Sequence, residues 1–452
     1  MNVHFIAIGG AIMHNLAICM HNMGHRVSGS DDIIFDPAKS NLALNNILPQ
    51  KIGFFEENIT DDLDAVILGM HAKKDNIELL SAQEKGIHIY SFPAFIYEQA
   101  KNKTRIVVAG SHGKTTTTAM IMHVMQKMNY DFDYLLGSSL KGFDLSVKLS
   151  NSPYMIIEGD EYLASPLEMT SKFHYYQPDI AIITGIAWDH VNVFPTWESY
   201  VETFAKFLRE MKKDALAVLF THDDTLQEIS QNASCEIAFY QAPKYLIQDE
   251  KCFIQHQDQL YPLRIFGKHN LENLEAAKKV CERIGISNEA FYQAMTSFEG
   301  TAKRLEPITN KAQLTAFRDF AHSPSKLKAS VSGVSEQFGE RPLIACMELH
   351  TYSSTDKNFL KEYAQTMIDA HTAIVYMSDK AFAIKNRSHI SDEEVRQTFE
   401  QDSIVVCRTP EQLSALIKDL AVADAVYLFM SSGNFDGLDL AELLNNLKQY
   451  KS

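Results

Sequence analysis

The segment "VVAGSHGKTTTT" has the residue types of a phosphate-binding loop between a strand and a helix. Gly110 and Gly113 allow backbone N–H groups to surround an anion, and Lys114 opens the predicted helix, where its ammonium reaches phosphate oxygens. Thr115 offers a hydroxyl to a magnesium ion. The general loop pattern has a further glycine where this chain has Val108. The segment predicts a nucleotide site, and the alternative is an ordinary glycine turn with a solvated lysine.

Acidic and histidine side chains follow two later strand-like segments. Glu158 ends "YMIIE", and Asp189 and His190 follow "DIAIITGIAW". Ligands of open α/β sheets gather at the carboxyl ends of strands, so Lys114, Glu158 and His190 are expected at one edge of a sheet. Carboxylate oxygens suit Mg²⁺ near phosphates, whereas the histidine could instead contact a phosphate or a metal-bound water. The alternative is that these are solvated loop residues.

Further polar candidates lie at a helix start, in a linker and after a strand of the third unit. The asparagines of "FGKHNLENLEAA" either cap the helix or meet a base edge. The arginine of "GTAKRLE" is either solvated or a hinge residue that closes onto a γ-phosphate. These candidates are His269, Asn270, Asn273, Arg304, Asp319 and His322.

The first residues, "HFIAIGG", resemble a dinucleotide-binding turn in part. Gly9 and Gly10 are present without a strict G-x-G-x-x-G, and Asp31 follows about twenty residues later, as in nucleotide-binding Rossmann units. On this turn alone an NAD-dependent oxidoreductase remains an alternative.

The composition favours a soluble cytoplasmic protein. The chain has 452 residues and a formal net charge of −15, which argues against a nucleic-acid partner because such proteins present a basic face. Its six cysteines form no C-x-x-C pair, so neither a zinc site nor a disulfide framework is indicated. No apolar run approaches the roughly 18 residues of a membrane span. The first residues lack the basic region of a signal peptide.

Strand-like and helix-like segments alternate along almost the whole chain, which predicts an α/β protein with parallel sheets. The length suggests about three domains. The polar segment "EQAKNKTR" places the first boundary near 102, and "GTAKR" places the second near 302. The predicted domains are 1–102, 103–302 and 303–452.

The motifs together resemble the Mur ligase family. "HFIAIGG…GHRVSGSD", "AGSHGKTTT", "EGDE", "DH", "GKHNLENLEAA", "RLE" and "DFAHSP" occur in the order found in that family, from one end of the chain to the other. In the family, G-x-x-G-K-T without the earlier glycine is the normal ATP loop. The resemblance implies a Rossmann-like UDP-sugar domain, a P-loop ATPase-like central domain and a Rossmann-like C-terminal domain, with ATP and Mg²⁺ as cofactors.

The resemblance also assigns residues. It gives catalytic roles to Lys114, Glu158, His190 and Arg304, and metal binding to Thr115, Glu158 and His190. The implied ATP contacts are Gly110, Ser111, His112, Gly113, Lys114, Thr115, Thr116, His269, Asn270, Asn273, Arg304 and Asp319. The implied UDP-sugar contacts are Gly9, Gly10, Ser30 and Asp31, and the acceptor contacts are His322, Glu348 and His350. Some members carry a carbamylated lysine, but Phe204 occupies that place here, so none is expected.

Within the family, the loop and strand motifs resemble members that act on UDP-N-acetylmuramate. One such group adds L-alanine, and another reattaches the recycled tripeptide L-alanyl-γ-D-glutamyl-meso-diaminopimelate. "DEYLASPLEMTSKFHYYQPD", "DHVNVFP" and "FMSSGNFDG" resemble the second group, whereas "MELHTYSSTDKN" is divergent and shares His350 and Tyr352 with the first. The tripeptide is the expected acceptor and L-alanine the alternative. A regulatory or transport ATPase without a ligation product is a further alternative.

Overall fold

The computed structural model describes residues 1–138, 140, 142–165, 167–168, 170–188, 193–308, 314–385, 389–422 and 424–447. The chain divides into two compact units. Unit 1 comprises Met1–Gln241 with Glu272–Met295, and unit 2 comprises Ala242–Leu271 with Thr296–Ser452. Both units are α/β, as the alternation of the sequence predicts.

The N-terminal part of unit 1 is a four-stranded parallel sheet in the order β2-β1-β3-β4. The buried run of β1 and the apolar faces of the helices supply its core. Gly24, with φ +85°, follows the first helix, where a left-handed residue ends the helical turn. The elements are β1 (Asn2–Ile6), α1 (Met13–Asn22), β2 (Arg26–Ser30), α2 (Ala38–Leu44), β3 (Ala65–Leu68), α3 (Ile77–Glu84), β4 (Ile89–Ser91) and α4 (Phe92–Ala100).

The second sheet of unit 1 has seven strands in the order β11-β10-β9-β5-β8-β6-β7. All neighbours are parallel except β6 and β7. Strand β5 lies between β9 and β8, so the loops after these three strands share one edge. The elements are β5 (Thr104–Ala109), α5 (Lys114–Lys127), β6 (Phe132–Leu135), β7 (Val147–Lys148), β8 (Tyr154–Glu158), β9 (Ile180–Ile183), α6 (Trp197–Glu210), β10 (Leu216–Phe220), α7 (Asp224–Ser230) and β11 (Glu236–Tyr240).

Unit 2 begins with a three-stranded antiparallel sheet that the sequence did not predict. It consists of β12 (Tyr245–Gln248), β13 (Lys251–His256) and β14 (Gln259–Leu263). Helix α8 (Lys268–Arg283) then runs from unit 2 into unit 1, where α9 (Asn288–Met295) follows it. Residues 242–271 therefore belong to the C-terminal unit by compactness, although the boundary near 302 would give them to the central domain. The domain boundaries stay a prediction.

The main sheet of unit 2 has six strands in the order β15-β16-β20-β17-β18-β19, parallel except for the short β15. The carboxyl ends of β16, β20 and β17 are therefore neighbours. The elements are β15 (Glu306–Pro307), β16 (Thr315–Asp319), α10 (Pro324–Phe338), β17 (Leu343–Glu348), α11 (Lys357–Leu360), β18 (Thr372–Tyr376), α12 (Asp379–Ile384), α13 (Asp392–Thr398), β19 (Val405–Cys407), α14 (Pro410–Asp419), β20 (Val426–Met430) and α15 (Leu440–Asn445).

Two further expectations from the sequence concern the cysteines and membrane-spanning helices. All six cysteines are free thiols, and five of them are buried. Among the helices of the described residues, none is long and apolar enough to cross a membrane.

Candidate active site

The loop between β5 and α5 is held in a left-handed conformation that requires glycine. Gly110 has φ +114°, and a Cβ placed there would lie 2.4 Å from Oγ1 of Thr184 and 2.6 Å from its amide nitrogen. Thr184 also donates from its hydroxyl to the carbonyl of His112. Val108, which stands where the general pattern has its first glycine, is fully buried inside β5. The turn therefore begins only at Gly110.

Gly113 caps α5 in the left-handed region, with φ +78° and ψ −7°. A Cβ there would lie 2.3 Å from Oδ1 of Asn273 on α8, so the two residues are packed against each other within unit 1. The structure thus brings together two predicted ATP residues that are 160 positions apart in the sequence. Thr116 is buried in the first turn of α5.

Lys114 is the cation of this loop, and its ammonium is already oriented. Its Nζ donates to the carbonyl of Gly110 at 2.7 Å and to Oε2 of Glu161 at 2.8 Å. Burial alone would lower the pKa of Lys114, but the charge and hydrogen bond of Glu161, helped by Asp160 and Glu158, raise that pKa above its usual value. The lysine is therefore charged at neutral pH and has one donor left for a phosphate oxygen.

Thr115 and Glu158 form the hard-oxygen pair expected of a magnesium site. The Thr115 hydroxyl donates to Oε1 of Glu158 at 2.8 Å, and the Gly137 amide donates to Oε2 at 3.1 Å. A hydroxyl and a carboxylate at a phosphate loop suit Mg²⁺, which keeps waters and phosphate oxygens as its other ligands. No group of three or more His, Cys, Asp or Glu side chains arranged for a metal occurs in the described part of the chain. His190 lies outside the described residues.

Ser111 connects the loop to a buried tyrosine that no sequence motif singles out. Its Oγ lies 2.8 Å from the hydroxyl of Tyr200 on α6 and accepts a hydrogen bond from the Ala187 amide at 2.8 Å. Tyr200 is fully buried and also donates to Oε1 of Glu161 at 3.5 Å. In the sequence, Glu161 is the last residue of the "EGDE" motif, in which only Glu158 was given a role.

The glycine turn after β1 is organised by Asp31. The Gly9 amide donates to Oδ2 of Asp31 at 2.7 Å, and the Gly53 amide donates to the Asp31 carbonyl at 2.7 Å. Burial raises the pKa of Asp31, although the bond from the Gly9 amide opposes the shift. Gly10 follows in the same turn and accepts at its carbonyl from His14. The Asp31 carboxylate therefore holds the turn itself.

Ser30 has a different environment from the one expected of a ligand contact. It is buried, and its hydroxyl donates to Oε2 of Glu78 on α3. The fully buried Glu78 also accepts from the Phe55 amide at 2.9 Å, from Asn58 at 2.7 Å and from His4 at 3.3 Å. These bonds outweigh burial and lower the pKa of Glu78. The Ser30 side chain thus faces the interior, and only its backbone neighbours the turn.

The predicted nucleotide residues of unit 2 lie near one arginine. Burial lowers the pKa of His269 to about 4, with the Arg304 charge adding to the shift, so this imidazole is neutral at pH 7. Asp319 accepts from the Leu305 and Ala321 amides at 2.8 and 2.7 Å. Burial raises the pKa of Asp319 even though the Arg304 charge opposes it. Asp319 therefore fixes the backbone just after Arg304 and the backbone just after β16.

Two contacts near this arginine refine the sequence prediction. The Arg304 guanidinium lies 5.2 Å from the centre of the Phe320 ring, a cation–π distance. The side chain of Asn270 donates to the carbonyl of Phe266 at 2.9 Å and is buried. The Asn270 side chain thus donates to a backbone carbonyl just before α8, which differs from an N-cap, where a side-chain oxygen accepts from a backbone N–H.

The predicted acceptor residues lie after β16 and β17. Glu348 is buried and accepts from the Ser431 hydroxyl and, at 3.0 Å, from the Phe435 amide. The partly exposed imidazole of His350 lies 3.7 Å from Oε1 of Glu348. His322 bonds the carbonyl of Phe320 at 2.7 Å. Glu348 is therefore an internal support, and His350 is the group of this pair that faces outward.

Tyr352 and Lys385 extend the acceptor region beyond the predicted residues. The Tyr352 ring is 66% exposed, and the Lys385 ammonium lies 5.8 Å from its centre. Lys385 is the residue after α12, the helix that follows β18, and β18 pairs with β17 in the sheet. The sequence offered no signal that this lysine approaches the tyrosine.

Three family models match successive parts of the chain. They are the Mur ligase family catalytic domain over residues 2–104, the Mur ligase middle domain over 108–281, and the Mur ligase glutamate ligase domain over 303–433. The three-domain α/β architecture predicted from the sequence agrees with these matches.

Individual relatives point to the same family. A UDP-N-acetylmuramate–L-alanine ligase of Desulforamulus reducens is 30% identical over 391 residues, 82% of each chain. The structure of a UDP-N-acetylmuramate–alanine ligase from Thermotoga maritima superposes with a TM-score of 0.68 at 20% identity over all of both chains. A murein peptide ligase from Psychrobacter arcticus superposes with a TM-score of 0.62 at 22% identity over 99% of both. The two structures show a shared fold.

Proposed function

The chain belongs to the Mur ligase family of ATP-dependent, ADP-forming ligases, and on that premise we propose its two substrates. The donor is UDP-N-acetylmuramate, and the acceptor is the recycled tripeptide L-alanyl-γ-D-glutamyl-meso-diaminopimelate. The product carries a new amide bond between the lactyl carboxyl group and the alanine nitrogen. We place this reaction of peptidoglycan recycling in the cytoplasm.

The observation that carries the ligase chemistry is the convergence of Lys114, Thr115 and Glu158 at the ends of β5 and β8. In the first step, a lactyl carboxylate oxygen attacks the γ-phosphorus of ATP, the bond to the β-phosphate oxygen breaks, and ADP leaves. The charged Lys114 ammonium neutralises phosphate charge where it develops. In the second step, the neutral amine attacks the acyl carbon, inorganic phosphate leaves, and the amine loses a proton.

Mg²⁺ fits the donor set of Thr115 and Glu158, and His190 is a further proposed ligand. When bound, the ion neutralises phosphate charge and orients the polyphosphate. The protein holds the Glu158 carboxylate in place, because the Gly137 amide donates to one of its oxygens and the Thr115 hydroxyl donates to the other. The remaining proposed contacts, including Arg304 with the γ-phosphate and Gly9, Gly10 and Asp31 with the diphosphate, stay predictions.

The acceptor region supports a peptide over a free amino acid. Free L-alanine carries a carboxylate one carbon from its amine, so a cation must lie close to the reacting nitrogen. The segment "MELHTYSSTDKN" has no lysine or arginine before Lys357, whose ammonium pairs with Glu394, and its Glu348 is buried. The lysine found here, Lys385, lies out at the exposed Tyr352 ring. A cation at that outer position suits the distant carboxylates of a tripeptide.

L-Alanine remains the second candidate because the relative at 30% identity is named a UDP-N-acetylmuramate–L-alanine ligase. A panel of purified protein, ATP, UDP-N-acetylmuramate and either L-alanine or the tripeptide separates the two. We expect ADP release to require the sugar nucleotide and the tripeptide together. Turnover with L-alanine alone as acceptor would transfer the assignment to the alanine-adding reaction and leave the ATP site unchanged.

The ATP site has its own test in Lys114→Ala. Loss of one charge-neutralising contact to a transferring phosphoryl group lowers kcat by about 100-fold or more. Lys127→Ala is the matched control because it removes an exposed lysine from the last turn of the same helix. If Lys114→Ala kept most of the ligation rate, this loop would not be the site of phosphoryl transfer.

A further inference from the structure

The hydroxyl of Tyr200 occupies a junction between three parts of the nucleotide loop region. It contacts Ser111, in the loop after β5, and Glu161, in the segment after β8. Ser111 also accepts from the Ala187 amide, which belongs to the loop after β9. One buried phenol oxygen therefore connects the ends of the three strands that define this edge of the sheet.

These hydrogen bonds form a series from the Ala187 amide to the Glu161 carboxylate, and the two end groups set their direction. The Ala187 amide can only donate, and the Glu161 carboxylate, which is paired with Lys114, can only accept. The two hydroxyls between them are then ordered one way: Ser111 donates to Tyr200, and Tyr200 donates to Glu161. In this series of contacts, the hydroxyls of Ser111 and Tyr200 each accept one hydrogen bond and donate one.

The position of Glu161 makes this arrangement relevant to ATP. Its Oε2 holds the Lys114 ammonium at 2.8 Å, while its Oε1 receives the Tyr200 hydroxyl. The carboxylate is 1% exposed, so water cannot easily replace a lost partner. Removing the Tyr200 hydroxyl would take one donor from the Glu161 carboxylate and one acceptor from the Ser111 hydroxyl.

We propose that Tyr200 is a positioning residue for ATP, which sets the geometry of the phosphate loop through Ser111 and the orientation of Lys114 through Glu161. This inference rests on the proposed function of the loop and adds a residue to it. Tyr200 is not proposed to touch a substrate. We expect its effect to fall on the nucleotide, because Ser111 and Glu161 both belong to the phosphate loop region.

The test is Tyr200→Phe, which deletes one oxygen and keeps the ring that packs in the core. Tyr292→Phe is the matched control, because Tyr292 is also buried in unit 1 and donates to a buried carboxylate, Glu275, at 3.3 Å. Steady-state kinetics would be measured for ATP and for UDP-N-acetylmuramate separately. ADP binding by calorimetry gives a readout that does not depend on ligation.

We expect Tyr200→Phe to lower kcat/KM for ATP by about 10- to 100-fold, the usual effect of losing a buried hydrogen bond with a charged partner. The KM for UDP-N-acetylmuramate should stay within about twofold, and Tyr292→Phe should leave both values near wild type. An equal loss toward both substrates, or the same loss in the two variants, would overturn the proposal. If wild-type protein shows no ligation, the proposed function fails, whereas the calorimetric comparison still decides the role of Tyr200.

A second variant covers poor folding of Tyr200→Phe. Ser111→Ala removes the other hydroxyl of the same link, and the double variant completes a cycle. Both single changes break the contact between Ser111 and Tyr200, and each also breaks one contact of its own, so the double variant should lose less ADP affinity than the product of the two single losses. Multiplicative losses would mean that the two hydroxyls act independently, and the proposed connection would be wrong.

Discussion

Replacing Gly113 by alanine should lower the stability of unit 1 for two reasons, one in the backbone and one in side-chain packing. The first is the left-handed backbone, with φ +78°, which costs an alanine about 1–2 kcal/mol. The second is the contact of the new Cβ, which would lie 2.3 Å from Oδ1 of Asn273. Overpacking of this kind costs about 1–3 kcal/mol. Gly113→Ala should therefore destabilise unit 1 by about 2–5 kcal/mol.

Gly24→Ala supplies the matched control. Gly24 has φ +85°, but no atom lies within 4 Å of a Cβ placed there, so only the backbone cost applies. Both tryptophans of the chain, Trp188 and Trp197, belong to unit 1. Urea unfolding followed by tryptophan fluorescence therefore reports the stability of this unit for both variants.

Asn273→Ala completes the experiment because it removes the atom that the new methyl group meets. Combined with Gly113→Ala, it should recover the contact cost and leave the backbone cost, so the two changes should be coupled by at least about 1 kcal/mol. Strictly additive effects would refute the steric reasoning, as would a Gly113→Ala penalty no larger than that of Gly24→Ala.

Three further predictions concern the other sites. Glu78→Gln should destabilise unit 1 by about 2–5 kcal/mol at pH 7, since an amide cannot accept from every donor around it. Because the pKa of Glu78 is lowered in the folded protein, the stabilisation by its carboxylate is present above the ordinary glutamate pKa and is lost as pH falls through the folded pKa. The difference in urea midpoint between the variant and the wild type should therefore shrink on acidification. Lys385→Ala should raise the KM for the tripeptide about 10-fold while barely changing the KM for UDP-N-acetylmuramate, and an unchanged tripeptide KM would exclude Lys385 from acceptor binding. His350→Ala should lower the rate with the tripeptide and leave the urea midpoint of unit 1 unchanged, because His350 belongs to unit 2 and its imidazole is partly exposed.

Much of the fold could be predicted because its signals are local. Most strands of the parallel sheets are short apolar runs, such as "RIVVA" or "AVIL", and glycines follow some of the helices. The antiparallel sheet of β12–β14 escaped prediction because its strands are partly exposed and polar, so they lack the buried run that marks the others.

In the candidate site, too, some residues could be expected from the sequence and others could not. The rule for strand ends was enough to expect Lys114 and Glu158 at one edge, since it needs only the order of the elements. Tyr200 could be expected to be buried from its place on an amphipathic helix, but periodicity says nothing about the partner of its hydroxyl. Glu78 lies in the first turn of α3, and no local pattern marks it as buried because its partners come from distant segments of the chain.

The absent glycine at Val108 acquires a physical explanation from the two glycines that are present. Val108 lies inside β5, between β8 and β9, where a fully buried β-branched side chain stabilises the sheet. The left-handed turn starts two residues later, and Thr184 and Asn273 hold Gly110 and Gly113 in place from outside the loop. A loop fixed by its neighbours loses little conformational entropy when phosphate binds. Moving the turn into the strand would cost a buried side chain without making the loop more ordered, so a valine at position 108 is consistent with a phosphate site.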